Sequence, residues 1–188
     1  HVAGSSTTYR DIDTADHVAL VAFEPEEESP IVFLRLNKNF KKRGLKVSAV
    51  ATKGSIAMDK LKADFIKVAP GAESAAVAGL ALTAKSVILV GERASESAGL
   101  FTSVAALAAK TGAKVAYIPR RAGERGALEA GALGNVLPGG RPVMDAAARV
   151  DIAAAWGVDS LPATPGRSAS EIIDALTSGD LDAVVVGG

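Results

Sequence analysis

The chain has 188 residues, of which 48% are hydrophobic, and its 21 basic and 21 acidic residues cancel to a formal net charge of zero. This length predicts one domain or one and a fraction, and neutrality argues against a nucleic-acid or anionic-membrane surface, because both need a basic excess. The absence of cysteine excludes disulfides, thiolate zinc sites and iron–sulfur ligation within this chain, and no apolar run reaches the roughly 18 residues of a membrane span.

Short apolar runs predict strands that are buried on both faces. They are HVALVAF (17–23), LKVSAVA (45–51), ADFIKVA (63–69), SVILVG (86–91), KVAYIP (114–119) and LDAVVVGG (181–188). Helical patterns are predicted over 30–42, 55–61, 72–84, 96–110, 145–156 and 168–177. Because parallel neighbours need crossover connections, this alternation predicts an α/β fold with a mostly parallel sheet and helices on both faces, a Rossmann-like three-layer lobe.

A glycine-rich region, 120–142, breaks this rhythm and is predicted to be a loop with a short helix inside. Arg120, Arg121 and Arg125 alternate with acidic residues there, which indicates a solvated loop. We expect a complete lobe over 1–138 and the beginning of a second, truncated α/β lobe over 139–188. Since the last predicted strand is followed by turn glycines alone, we expect the chain to be an interior fragment of a longer protein.

Three consecutive glutamates follow the first predicted strand in the stretch AFEPEEESPIV (22–32). They lie where ligands bind in open parallel sheets. However, Ser29 is a predicted N-cap and Pro30 a predicted first helical residue, and carboxylates near a helix N-terminus are stabilised by its dipole. We therefore interpret the glutamates as a solvated helix start, because a catalytic role needs a second titratable group converging on them and the sequence shows none.

Common cofactor and nucleophile motifs are absent from the sequence. No strand is followed by G-x-G-x-x-G, and neither a G-x-x-x-x-G-K-[ST] loop nor a G-x-S-x-G elbow occurs. The histidines, His1 and His17, lie apart and have no evident serine partner. No carboxylate spacing indicates a metal site. We expect no catalytic residue and no metal in this chain.

Four stretches, in order along the chain, share a pattern with one known group of proteins. The first is EPEEESPIVFLRL, in which Glu24, Pro25 and Pro30 frame a strand–loop–helix unit. The second, KADFIKVAPGAESAAVAGLAL, carries Pro70 and Gly71. The third, ALAAKTG followed by RRAGERGALEAGALGNVLPGG, and the fourth, AAWGVDSLPATPGRSASEIIDALTSGDLDAVVVGG, complete the series. Together they resemble the molybdopterin oxidoreductase superfamily, most closely the family of large peripheral G subunits of bacterial NADH–quinone oxidoreductase, respiratory complex I.

This resemblance implies a lobe that, in cofactor-binding relatives, grips half of a molybdopterin guanine dinucleotide. The chain departs from that pattern where Lys53 replaces a phosphate-binding arginine and Glu73 replaces a guanine-reading aspartate. Only a residual pocket is therefore expected. Its candidate residues are Glu24, Ser29, Lys53, Gly71 and Glu73.

The leading hypothesis is a structural segment without a cofactor of its own, in a complex whose iron–sulfur clusters lie elsewhere. Its partners would be other complex I subunits, with no nucleic acid and no direct membrane insertion, at a cytoplasmic location peripheral to the inner membrane. Two alternatives stay open. One is the cofactor-binding lobe of an active molybdenum oxidoreductase such as a formate dehydrogenase, and the other is a nucleotide-binding module.

Overall fold

The computed structural model describes residues 7–121, 123–164 and 166–187. The chain divides into two compact units, His1–Arg125 and Gly126–Gly188. The first unit contains one parallel sheet and the helices that cover it, and the second contains a short hairpin and two helices.

The sheet of the first unit has five strands in the order β3-β2-β1-β4-β5, and every neighbouring pair is parallel. They are β1 (His17–Val21), β2 (Lys46–Ala51), β3 (Asp64–Lys67), β4 (Ser86–Gly91) and β5 (Lys114–Ile118). The predicted α/β fold is therefore confirmed. Leu20 of the central strand lies in register with Ala49 and Leu89, which shows how the apolar runs predicted from sequence align across the sheet.

Helices flank these strands along the chain. In the first unit they are α1 (Tyr9–Thr14), α2 (Pro25–Glu28), α3 (Pro30–Arg43), α4 (Ile56–Lys60), α5 (Glu73–Ala78), a 3-10 turn (Glu92–Glu96) and α6 (Leu100–Thr111). Helix α7 (Glu124–Glu129) spans the division between the units, and the second unit contains β6 (Val136–Leu137), β7 (Arg141–Pro142), α8 (Ala146–Trp156) and α9 (Ala169–Ser178). None of the helices in the described part of the chain is long and apolar enough to cross a bilayer.

Successive residues of each strand face opposite sides of the sheet, so the first unit has two apolar cores. On one side Val18 and Leu20 of β1 pack in a cluster with Leu36 of α3. On the other side Val21 of β1 packs in a cluster with Leu100 of α6. Helices on both faces explain why the strands are apolar throughout instead of alternating.

Three predicted elements differ from the structure. The pattern over 72–84 yields only α5, and the helix predicted over 96–110 is divided into the 3-10 turn and α6, with Gly99 at a φ of 74° between them. The strand predicted over 181–188 is absent from the described residues 181–187, where Val185 is 98% exposed. A strand is stabilised by hydrogen bonds to a neighbour, and no described strand pairs with this segment.

Candidate functional site

A cleft of about 500 Å³ opens at the carboxyl ends of the parallel strands of the first unit. The strand order reverses between β1 and β4, and in open α/β sheets ligands bind at such a point. Segments that follow β1, β2, β3 and β4 all contribute to the cleft. Its lining residues are Ala22, Glu24, Ala51, Thr52, Lys53, Gly54, Ser55, Met58, Pro70, Gly71, Glu73, Arg93, Glu96, Ser97 and Leu100.

Close backbone packing between β1 and β4 forms one wall of this cleft. A Cβ atom on Gly91 would lie 2.4 Å from the carbonyl oxygen of Ala22 and 3.0 Å from the Cα of Phe23. Ala22 itself has a φ of 48°, a conformation that residues other than glycine rarely adopt. Glycine at position 91 therefore allows the two strand ends to approach each other.

Four of the five predicted pocket residues line the cleft: Glu24, Lys53, Gly71 and Glu73. Ser29 does not line it. Ser29 is at once the last cap of α2 and the first cap of α3, and its hydroxyl makes no capping hydrogen bond. Its predicted place before the helix is right and its predicted capping hydrogen bond is wrong, because α2 already occupies the preceding residues and sets the Ser29 backbone.

Glu24 is occupied by structural hydrogen bonds. One carboxylate oxygen accepts from the backbone N–H of Glu27 at 2.6 Å and so caps α2, while the other accepts from the hydroxyl of Ser55 at 2.7 Å. The Ser55 hydroxyl in turn accepts from the N–H of Met58 and caps α4. Glu24 therefore links the starts of two helices that follow different strands.

Glu28 is the most enclosed of the three consecutive glutamates, with a side chain only 6% exposed. Its Oε1 atom lies 2.6 Å from the guanidinium of Arg93 and accepts from the N–H of Glu24 at 3.0 Å, and its Oε2 atom lies 3.6 Å from Arg120. The interpretation of all three glutamates as solvated is thus wrong for Glu28. Glu26 also pairs with a cation, Lys60, at 2.6 Å, and only Glu27 is exposed.

The arginines after β5 also form ion pairs instead of a solvated loop. Arg121 donates to Glu92 at 2.6 Å, and the backbone N–H of Arg120 donates to the other oxygen of Glu92 at 3.3 Å. The hydrogen bond from Arg121 holds the pKa of Glu92 below its usual value. Sequence reasoning missed Glu92 and Arg93, although they follow β4 directly and the carboxyl ends of parallel strands meet at one edge. The side chain of Arg125 lies outside the described part of the chain.

Glu73 is a buried carboxylate in the cleft wall, 8% exposed, that accepts from the hydroxyl of Ser97 at 2.8 Å. Burial by itself would raise the pKa of Glu73, but hydrogen bonds from its own backbone amide, Ser97 and Gly71 together lower the pKa below its usual value. Glu73 is therefore charged at neutral pH, and its hydrogen bonds stabilise the turn between β3 and α5.

Lys53 differs from these residues because its side chain is exposed and, among the residues that the structure describes, forms no hydrogen bond or ion pair. It lies in the loop after β2 and borders a second, more acidic groove that includes Glu26 and Asp59. In the described part of the cleft, the other cationic side chain, Arg93, is held by Glu28. Lys53 is thus the group that an anionic ligand would meet.

Acid–base or metal chemistry finds little support here. The described residues contain no group of three or more histidine, cysteine, aspartate or glutamate side chains that could hold a metal ion. His17 does have a serine partner, against expectation, since its Nε2 lies 2.8 Å from the Ser48 hydroxyl. The pairing of β1 with β2 brings them together. However, His17 begins β1 at the edge opposite the cleft, and Ser48 is only 6% exposed, so this pair is a satisfied core contact.

Comparison with known proteins finds no family model that matches the chain. Curated relatives from Mycobacterium bovis and Mycobacterium tuberculosis are each 46% identical over 191 residues, which cover 97% of the chain. A relative from Streptomyces coelicolor is 45% identical over 201 residues and 98% of the chain. The chain spans about a quarter, 24%, of the length of each. Over nearly its whole length, the chain is therefore similar to one quarter of proteins that are named as the G subunit of NADH-quinone oxidoreductase.

Proposed function

We propose that this chain is a structural segment of the G subunit of NADH–quinone oxidoreductase and that it carries no cofactor of its own. The identity of 46% over 97% of the chain supports the parentage. In this proposal residues 1–138 form one lobe of the molybdopterin oxidoreductase type, and 139–188 begin a second. The segment supports neighbouring subunits in a peripheral arm on the cytoplasmic side, and iron–sulfur clusters elsewhere in the parent carry the electrons.

The observation that carries the absence of a cofactor is the internal use of the cleft carboxylates. A carboxylate that recognises guanine must accept from two N–H groups at once, so both of its oxygens must be available. Both oxygens of Glu24 already accept from Glu27 and Ser55, and Glu73 accepts from Ser97 and from backbone amides. A guanine would have to displace these bonds, each worth about 1.5–3 kcal/mol to a charged acceptor.

The phosphate side of the cleft supports the same proposal. Arginine binds phosphate through its forked donors, and the arginine of the cleft, Arg93, donates to Glu28. Lys53 offers a single charge without the fork. A guanine dinucleotide therefore meets neither a free carboxylate nor a free guanidinium among the described lining residues.

The test separates assembly from chemistry in the full-length parent protein within its complex. Deletion of residues 7–121 should abolish assembly, measured by native gel electrophoresis. Lys53→Ala and Glu73→Gln, which alter the cleft and leave the sheet intact, should leave NADH–quinone turnover per assembled complex unchanged. Normal assembly of the deleted protein would refute the scaffold role, and a tenfold loss of turnover in either cleft variant with normal assembly would show that the cleft takes part in the reaction.

A nucleotide-binding module is the second candidate, and the free ammonium group of Lys53 beside a cleft of about 500 Å³ favours it. Calorimetric titration of the intact protein with GMP, GDP and NAD(H) is the direct test. Saturable heat that Lys53→Ala abolishes would support this candidate, and no heat with any of them would remove it for these ligands. Stoichiometric molybdenum or tungsten in the same preparation would instead support an active pterin-dependent enzyme.

A further inference from the structure

Helix α3 exposes two large aliphatic side chains that its amphipathic packing does not explain. Ile31 is 54% exposed and Leu34 is 59% exposed. Residues three, four and seven apart lie on one face of a helix, so the exposed Lys38, Lys41 and Lys42 continue the same side. We call these five residues the α3 stripe. The opposite side of the helix is buried against the sheet through Val32, Phe33, Leu36 and Asn39.

An aromatic–arginine stack adjoins the apolar end of the α3 stripe. The guanidinium carbon of Arg35 lies 4.3 Å from the centroid of the Tyr9 ring, and Tyr9 is 51% exposed. Arg35 also donates to Asp13, which fixes its side chain. Because Arg35 follows Ile31 by one helical turn, the stack borders the stripe directly. Tyrosine and arginine are the side chains enriched at protein interfaces, and a pair already fixed in place loses little entropy on binding.

The other end of the α3 stripe is positively charged and unpaired. Among the residues that the structure describes, Lys38, Lys41 and Lys42 form no ion pair or side-chain hydrogen bond, and the nearby Asp13 already binds Arg35 and Asn39. Complementing the helix dipole accounts for cations in the last turn. It does not account for aliphatic side chains exposed in the first turns, so the stripe as a whole calls for another explanation.

We propose that the α3 stripe docks another subunit of the complex, through a segment that carries an apolar side chain followed by carboxylates. The apolar side chain covers Ile31 and Leu34, and the carboxylates pair with the lysines. This inference rests on the proposed function, because it takes the partner to be a neighbouring subunit. A lipid surface fits less well, since membrane-surface helices immerse a broad apolar face, and the apolar face of α3 is already buried in its own fold.

The docking segment can be identified by a photo-crosslinking amino acid at position 34 of the full-length parent protein in the assembled complex. The expected product joins position 34 to a different subunit, at a peptide with an apolar residue and at least two carboxylates within one or two helical turns. Crosslinks to lipid, to the same polypeptide or to a peptide without carboxylates would each overturn the proposal, as would the absence of any product.

Two sets of variants test the energetic role of the stripe. Leu34→Ala keeps helix propensity and removes apolar area, and Lys38→Glu/Lys42→Glu reverses two charges. Each should weaken retention of the parent protein in the complex about tenfold, the loss typical of interface residues that contribute to binding. The matched control is Lys67→Glu/Lys110→Glu, which reverses two exposed lysines that have no ion-pair partner among the described residues and lie outside the stripe. Thermal unfolding of each purified variant checks that folding is intact.

The outcomes distinguish this inference from the proposed function. A wild-type protein that does not co-purify with the complex would refute the proposed function and the docking surface with it. A wild-type protein that does co-purify, together with stripe variants that are retained as well as the control, would refute the docking surface alone. A selective loss in the stripe variants, with unchanged unfolding temperatures, would support it.

Discussion

Replacing Glu28 by alanine tests whether this glutamate is a structural ion-pair partner instead of a solvated helix-start residue. Its carboxylate receives three donors: the N–H of Glu24 at 3.0 Å, Arg93 at 2.6 Å and, as a longer ion pair, Arg120 at 3.6 Å. Only 6% of the side chain is exposed. Removing it takes away the shared acceptor of segments that follow β1, β4 and β5.

The expected loss of stability follows from these contacts. Hydrogen bonds to charged groups contribute about 1.5–3 kcal/mol each when buried. The side chains of Arg93 and Arg120 are 42% and 44% exposed, so water can replace much of what they lose, and exposed ion pairs contribute little. We therefore expect the free energy of unfolding to fall by about 2 kcal/mol for Glu28→Ala and by about half of that for Glu28→Gln, which keeps one acceptor oxygen.

Urea unfolding of the chain at neutral pH measures these differences. The matched control is Glu27→Ala, one residue earlier in the same helix, because the Glu27 side chain is exposed and forms no hydrogen bond or ion pair with the described residues. Its effect should stay within about 0.5 kcal/mol. If Glu28→Ala costs no more than Glu27→Ala, the ion pairs are not stabilising and the argument from burial is wrong.

Three further predictions concern the packing around the sheet. Gly91→Ala should cost ~2 kcal/mol, since its Cβ would lie 2.4 Å from a carbonyl oxygen, whereas Gly126→Ala, with nothing within 4 Å of its Cβ, should not destabilise in thermal melts. Burial lowers the pKa of His17, so the unfolded state binds more protons and stability should fall as the pH drops below about 6.5; His17→Gln should flatten that slope, and an unchanged slope would assign it elsewhere. Ser55→Ala should lower the free energy of unfolding by about 1 kcal/mol through loss of the α4 cap, and an unchanged urea midpoint would contradict this.

Local sequence signals predicted the sheet well because each strand is apolar throughout. The runs HVALVAF and SVILVG became β1 and β4, which lie side by side and are buried on both faces. The start of α3 was also predictable, since proline at position 30 fits the first helical position and no interior one. Its end follows from Gly44, whose φ of 66° lets the chain leave the helix.

The candidate site was only partly predictable from the sequence. Four of its residues were found because they follow strands whose carboxyl ends meet at one edge of the sheet. Their partners were not found, because pairs such as Glu28 with Arg93, Glu24 with Ser55 and His17 with Ser48 join residues 31 or more positions apart. No local pattern reports such a pair, since the sheet order decides which loops become neighbours.

By itself, the sequence determined the fold class, the helix starts and ends, and the likeness to NADH-quinone oxidoreductase proteins, because hydrophobic period, capping chemistry and residue identity are all local properties. The tertiary structure alone decided which charges are free. Three consecutive glutamates look equivalent in the sequence, yet one is enclosed by two arginines, one pairs with a lysine and one faces solvent. The reason is geometric: a helix turns each successive side chain by about 100°, so neighbours in sequence meet different surroundings.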